Sequence, residues 1–228
     1  MDNNYLIKIR RRINSFILNR MDILLDYKIC GQSLSKYEKS VFRDDKKGVG
    51  MTGSQSTRYL ILKYIFDRVD IKDSDSFIDV GCGKGRVLAY MVNHGYKCSI
   101  SGIEINEISG KIAEKWTAKY PMVAFMLGDA FKLNYNNYTV LFFGRPFLPV
   151  TFLEFIKQIE SQLKHPIQLI YWVDQQSGRL LMNRPGWTLV WRETIDKIYG
   201  FEMTEGPQGC SLWKYEPQQE YSCADYEQ

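Results

Sequence analysis

The stretch Ser76–Asn106, "SFIDVGCGKGRVLAYMVNHGYKCSISGIEIN", constrains the fold of this 228-residue chain more than any other feature. It runs from an apolar segment through three glycines at alternate positions to a helical pattern, a second apolar segment and an acid. Two short strands joined by a helix form a βαβ unit, whose strands lie parallel and whose crossover is right-handed. A parallel sheet must be covered on both faces, so the rest of the chain has to supply more strands and more helices.

It does. Strands are expected at Phe77–Val80, Ser99–Ile103, Val123–Leu127, Thr139–Phe143 and Gln168–Val173, and helices near Arg86–Asn93, Glu107–Tyr120, Pro149–Leu163 and Ser177–Met182. The alternation predicts an α/β sheet with helices on both faces. The rhythm then changes. "GWTLVWRETID" and "GCSLWKYEP" read as two strands with no room for a full helix between them, an antiparallel pair at one edge of the sheet.

Upstream, Leu6, Ile9, Ile13, Phe16, Ile17, Met21 and Leu24 recur at helical spacing over residues 5 to 28, among Lys8, Arg10, Arg11, Arg12 and Arg20. The expectation is an N-terminal helix with its apolar face on the domain and its basic face in solvent. A helix that meets a membrane surface or a nucleic acid is the competing reading. Phe42 to Ser56 should be a loop, rich in glycine and hydroxyl residues, and Thr57 to Val69 a second helix. The chain thus divides into a basic helix with a lid or loop (1–50), one α/β domain (51–216) and a polar tail (217–228) expected to be disordered.

Composition narrows the classes. Hydrophobic residues make up 45%, enough for a sizeable core. A net charge of +4 is too mild to imply a nucleic-acid partner. Cys30, Cys82, Cys98, Cys210 and Cys223 form no CxxC pair and no metal-ligand spacing, so no metal site is expected. An odd count without a secretory leader suggests reduced thiols and a cytoplasmic setting. No apolar run reaches the roughly 18 residues of a membrane span.

Gly81, Gly83 and Gly85 follow the first strand directly, and glycine there lets backbone approach a ligand. Glu104 closes the second strand, where an acid takes a ribose diol. Both features suit nicotinamide or S-adenosylmethionine (SAM). The spacing separates them: dinucleotide sites use GxGxxG, whereas here the pattern is GxGxG with Arg86 at the third-glycine position. SAM has no pyrophosphate to cradle.

"FIDVGCGKGRV" resembles motif I of the class I SAM-dependent methyltransferases, with Asp79 at the acidic position facing the methionine ammonium region. "SGIEIN" is similar to the second motif, with Glu104 on the ribose. "MLGDAF" resembles the third, with Asp129 accepting from the adenine amino group and Ala130 offering its backbone N–H. "TVLFFGRPF" occupies the fourth position. The resemblance covers about residues 50 to 216. It implies a Rossmann-like, seven-stranded, mostly parallel sheet with a C-terminal antiparallel strand pair, SAM as cofactor and S-adenosylhomocysteine (SAH) as product. More narrowly, "DVGCGKGRVL", "GIEIN" and "LIYW" resemble bacterial methyltransferases distantly related to the Dot1-type histone lysine methyltransferases.

The acceptor should lie beyond the carboxyl ends of the strands. Methyltransferases acting on base amino groups often carry Asn/Asp-Pro-Pro-aromatic at the fourth motif. Gly144-Arg145-Pro146-Phe147 stands here instead, which argues against base methylation and against a nucleic-acid partner. Arg145 is a candidate to pair with an acceptor anion, against an ordinary exposed loop arginine. Phe143, Phe147 and Tyr171 are candidate acceptor walls, with core packing an equal reading for Phe143. Asp174, after "LIYWV", is the candidate general base, against a helix-capping role. Gln55, Ser56 and Thr57 could bind the methionine end of SAM, Thr57 alternatively capping the next helix, and Tyr37 and Glu38 could form a lid. His94 and His165 are read as surface residues.

Four functions stay open. The first is a SAM-dependent methyltransferase acting on O or N of a small molecule, sugar or peptide-like acceptor. The others are a lysine-type protein methyltransferase, a non-catalytic SAM-binding module and an NAD(P)-dependent oxidoreductase.

Overall fold

A computed structural model of the chain describes residues 3–40, 43–202 and 206–218. Its longer elements are, in order, α1 (Asn3–Cys30), α2 (Tyr59–Phe66), β1 (Ser76–Val80), α3 (Arg86–Asn93), β2 (Ser99–Glu104), α4 (Glu107–Thr117), β3 (Val123–Leu127), β4 (Val140–Phe143), α5 (Pro149–Gln162), β5 (Ile167–Trp172), β6 (Trp187–Ile195) and β7 (Gln208–Tyr215). The segment expected as a helix at Ser177–Met182 is a single 3₁₀ turn, Gly178–Leu181. Within the expected loop at 42–56, Arg43–Asp44 pairs with Val49–Gly50 as a two-residue hairpin. Phe42 and residues 219–228 of the expected tail lie outside the described residues.

The strands form one seven-stranded sheet in the order β3-β2-β1-β4-β5-β7-β6. β1 to β5 run parallel, and β7 runs antiparallel to both β5 and β6. The chain starts at the centre, moves outward through β2 and β3, then returns to build β4 and β5 on the other side. Right-handed crossovers therefore put α3 and α4 on one face and α5 on the other. Alternation along each strand feeds both cores. Phe77 and Phe142 pack with Leu62, Phe66 and Leu88, while Ile78 and Phe143 pack with Phe152, Phe155 and Ile159.

The N-terminal helix forms as expected but is rotated. Leu18, Asp22, Asp26, Ile29 and Cys30 are its buried residues among those described, while Ile13, Phe16, Met21 and Leu24 stand 46–70% exposed. The apolar face read from the sequence therefore points outward. The cause is electrostatic: the guanidinium of Arg86, 3% exposed, donates from Nε to Asp26 Oδ1 at 3.0 Å and from Nη2 to Asp26 Oδ2 at 2.6 Å. Arg58 Nη1 donates to Asp22 Oδ2 at 3.0 Å, and the Tyr59 N–H at the start of α2 donates to Asp22 Oδ1 at 3.1 Å. Two acids that find buried partners fix the rotation against the wider apolar arc, because buried charges must be paired.

Candidate functional site

The sheet reverses direction between β1 and β4, and at such a switch point the loops splay apart to leave a crevice beyond the strand ends. Three strand ends converge there: Asp79–Gly81 at the end of β1, Glu104 at the end of β2 and Gly144–Pro146 after β4. A cavity of about 310 Å³ lies between them. It is lined by Asp79, Gly81, Gly83, Glu104, Asp129, Ala130 and Thr57, so the fold gathers seven of the eight residues expected to bind cofactor.

The eighth, Gly85, does something else. It starts α3 with φ +85°, and a Cβ there would stand 2.9 Å from the Trp116 ring. The Trp116 indole N–H donates to the Lys84 carbonyl at 2.8 Å. Gly85 is a packing glycine that lets Trp116 brace the turn from behind. Gly81, at φ +73°, meets the cavity side: a Cβ there would lie 2.5 Å from Pro146 Cβ. Thr57 makes no helix cap, since Asp22 of α1 satisfies that N–H group, and its side chain faces the cavity instead.

Two carboxylates dominate the electrostatics. Burial drives the Asp79 pKa well above the ordinary carboxylate value, and the nearby Glu104 pushes it further. Burial also raises Glu104, against hydrogen bonds from backbone N–H groups. The Gly83 N–H donates to Glu104 Oε2 at 2.7 Å and the Asn106 N–H to Oε1 at 2.6 Å. Each oxygen keeps a further lone-pair direction for a ligand hydroxyl. Asp129 Oδ1 caps the 3₁₀ turn at Ala130–Lys132 by accepting from the Phe131 N–H at 3.0 Å, which orients its carboxylate at the cavity wall.

A three-ply strap roofs this site. Glu38 and Ser54 exchange backbone hydrogen bonds at 3.1 and 2.8 Å. On the other side, the Thr52 N–H donates to the Pro146 carbonyl at 2.9 Å and the Thr52 hydroxyl to the Arg145 carbonyl at 2.6 Å. Both basic residues of "GKGR" hold the strap. Lys84, 2% exposed, donates from Nζ to the Lys36 carbonyl and lies 3.3 Å from Glu38 Oε1. Arg86 donates from Nη2 to Ser35 Oγ at 2.8 Å besides gripping Asp26. Sequence reasoning missed Lys84, Ser54 and Thr52. Their signal was a lysine in the glycine turn and a hydroxyl-rich loop, and neither names its partner.

Next to the cofactor cavity, and sharing Thr52, Ser56, Thr57 and Gly144 with it, is a polar cleft of about 510 Å³. Arg145 lines it with φ +55°, a left-handed conformation that costs energy in a non-glycine residue. Its guanidinium makes no hydrogen bond or ion pair among the described residues. Asn19 and Asp22 of α1 form the far wall.

Three sequence expectations are corrected here. Asp174 is fully buried, and Arg192 takes both of its oxygens, Nε to Oδ2 and Nη2 to Oδ1, each at 2.8 Å. It lines neither cavity, so it is a structural anchor rather than a base. The residue before it, Val173, has a φ of +61°, strained for a β-branched residue, and its N–H donates to the Gly209 carbonyl at 2.8 Å. Phe143 and Tyr171 are also fully buried, 6.0 Å apart between ring centres, within the core on the α5 side. Phe147 does line the cofactor cavity. His94 Nδ1 donates to the Tyr90 carbonyl at 2.8 Å, and the two His165 ring nitrogens lie 2.9 Å from the Pro166 and Asn136 carbonyls, all away from both cavities.

A family model described as "Histone methylation protein DOT1" matches residues 38–140, which is less than half of the chain. No curated protein sequence matches it. Among solved structures, an RNA methyltransferase from Salinibacter ruber in complex with SAH is 22% identical with a TM-score of 0.50, over 73% of this chain and 95% of that one. The putative methyltransferase yhhF from Escherichia coli is 15% identical with a TM-score of 0.53, over 75% and 92%. The [4+2]-cyclase SpnF is 14% identical with a TM-score of 0.56, over 88% and 95%. The chain has the class I SAM-dependent methyltransferase fold. As the cyclase shows, that fold does not itself fix the reaction.

Proposed function

We propose that this chain is a SAM-dependent methyltransferase that holds the methyl donor in the glycine-lined cavity and an acceptor in the adjoining polar cleft. The observation carrying this reading is the Asp79–Glu104 pair. Both carboxylates are buried and raised, and no lysine or arginine pulls either of them down. A cavity of that character favours a ligand bringing positive charge. SAM brings an ammonium and a sulfonium, whereas the pyrophosphate of a dinucleotide would be repelled.

In this reading Asp79 faces the ammonium, Glu104 takes the ribose hydroxyls, Asp129 accepts from the adenine amino group and the Ala130 N–H donates to the ring. Gly81 and Gly83 let Pro146 and Ser54 of the strap close on the turn, where Cβ atoms would collide with them. When bound, SAM supplies a methyl group already activated on sulfur, so the protein's task is alignment and exclusion of water. The strap over residues 36–38, 51–54 and 145–148 does the excluding. Arg145 orients an anionic group of the acceptor, a small molecule, sugar or peptide-like compound. No histidine or unpaired carboxylate lines the polar cleft among the described residues, so the acceptor atom attacks without a protein base. Methylation of a lysine-type side chain is the second reading, favoured by the family-model match. The free guanidinium of Arg145 opposes it, because it repels an ammonium.

Calorimetry with SAM, SAH and NADH tests the cofactor. The wild type should bind the first two and not the third, and Glu104→Ala should bind them at least tenfold more weakly. Failure of the wild type to bind SAM or SAH refutes the proposal. Arg145→Ala should lower turnover of anionic acceptors while keeping SAM affinity, and a loss of SAM affinity would remove Arg145 from the acceptor cleft.

A further inference from the structure

The outward face of α1 has no role in either cavity. Ile9, Ile13, Phe16, Ile17, Leu24 and Tyr27 are 38–70% exposed, and they recur at three- and four-residue spacing along one side of the helix. From Ile9 to Tyr27 this stripe runs about 27 Å at the helical rise. Water-soluble surfaces rarely keep so long an apolar strip uncovered. The inward face is already committed: Leu18, Asp22, Asp26 and Ile29 pack on the domain through Arg58 and Arg86. The stripe is therefore not a core face that has missed its place.

Charge says what covers it. Arg10, Arg12, Arg20 and Lys28 are exposed on α1, and Arg20 lies over the Phe16 ring at 5.1 Å. The acids of this helix from residue 9 to residue 30, Asp22 and Asp26, are both buried and paired inward. The solvent side of the helix thus combines an apolar stripe with cations and no acid of its own, while Glu202 pairs the cations at its flank, 3.2 Å from Arg11 and 4.0 Å from Arg10. A second copy docking face to face would bring Arg20 and Lys28 against their own kind with no acid on either helix face to pair them. A nucleic-acid backbone would pair the cations and leave isoleucine, phenylalanine and leucine against phosphates. An anionic bilayer satisfies both: the stripe enters the acyl boundary and the cations meet the headgroups.

We infer that α1 docks this protein on the surface of an anionic lipid bilayer through Ile13, Phe16, Ile17 and Leu24, with Arg20 and Lys28 on the headgroups. The helix lies in the interface and does not cross it; no helix among the described residues is long and apolar enough to span a membrane.

The test is co-sedimentation of the full chain with sucrose-loaded vesicles of phosphatidylcholine alone, or with about a third phosphatidylglycerol. The wild type should sediment with the anionic vesicles and at least tenfold less with the neutral ones, with binding weakened by salt. Phe16→Ser with Leu24→Ser should abolish sedimentation. Arg20→Gln with Lys28→Gln should weaken it roughly fivefold per cation removed. All four positions are exposed, so circular dichroism and thermal unfolding should match the wild type. Wild-type protein that stays in the supernatant with both vesicles overturns the inference. So does vesicle binding that survives Phe16→Ser with Leu24→Ser. A dimer in sedimentation equilibrium that this double variant dissolves, without vesicle binding, would reassign the face to self-association.

Discussion

Replacing Asp26 by alanine tests whether a buried ion pair seats the N-terminal helix. Asp26 is fully buried and accepts three hydrogen bonds, two from Arg86 at 3.0 and 2.6 Å and one from the Leu34 N–H at 2.8 Å. Removing it leaves a buried guanidinium uncompensated, which costs about 3–5 kcal/mol. The orphaned Leu34 N–H adds about 1 kcal/mol. Asp22 cushions the loss, since its Oδ2 lies 3.9 Å from Arg86 Nη1, as do Ser35 Oγ and the Ser56 carbonyl at 2.8 and 3.4 Å. The net expectation is about 4 kcal/mol in urea unfolding, or a melting temperature lower by about 8–16 °C for a chain of this size. Asp26→Leu combined with Arg86→Met removes both charges and should recover most of the loss, because a well-packed apolar pair replaces a buried salt bridge at little cost. A single variant costing under about 1 kcal/mol would refute the reasoning. So would a double variant as damaged as the single, which would mean that backbone packing rather than charge holds the helix.

Further outcomes follow from the same geometry. Asp79→Asn should abolish SAM binding yet stabilise the ligand-free protein, and the gain should depend on pH. The folded pKa of Asp79 is raised, so the wild type keeps full stability below the unfolded carboxylate value and loses it as pH rises through the folded one. The melting-temperature difference between variant and wild type should therefore be near zero in acid and widen toward neutral pH; an unchanging difference would deny the burial penalty. Asp174→Asn should lower stability by about 2–4 kcal/mol through Arg192 and leave the shape of the pH–rate profile unchanged; loss of an ionisation from that profile would restore Asp174 as a base. Gly85→Ala should cost about 2–3 kcal/mol in urea unfolding, from left-handed strain and collision with Trp116. A neutral result would mean that the Trp116 brace yields.

The central sheet was legible because its determinants are local. Ser76–Val80, Ser99–Glu104 and Val140–Phe143 are largely apolar runs that end at glycine or an acid, and such patterns report strands whatever surrounds them. The cofactor residues were legible for a similar reason, since each sits at a strand end or in the turn directly after it. What failed was long-range. Asp174 looked like a free acid at a strand end, and nothing in the sequence tied it to Arg192. Phe143 and Tyr171 sit one residue or less from the cavity in sequence, but strand alternation turns both toward α5. The N-terminal helix was read from the width of its apolar arc, whereas its rotation depends on Arg86, a residue of another helix. Lys84 and Arg86 were visible only as departures from a dinucleotide pattern. Their partners lie 46 to 60 residues away in sequence.

That separation gives synthesis of the chain an order. Asp22 and Asp26 leave the ribosome well before Arg58 and Arg86 do, and domains form as their elements become available. Until β1 and the glycine turn have emerged, the first helix has unpaired acids on one side and an uncovered apolar stripe on the other. Whatever meets the nascent chain in that interval, a chaperone or a lipid surface, meets the stripe before any pocket exists. Arg86 then closes the interval, because one side chain both opens α3 at the glycine turn and receives a helix made before it. The helix that carries the stripe is thus made before the glycine turn, and that turn is the latch that seats it.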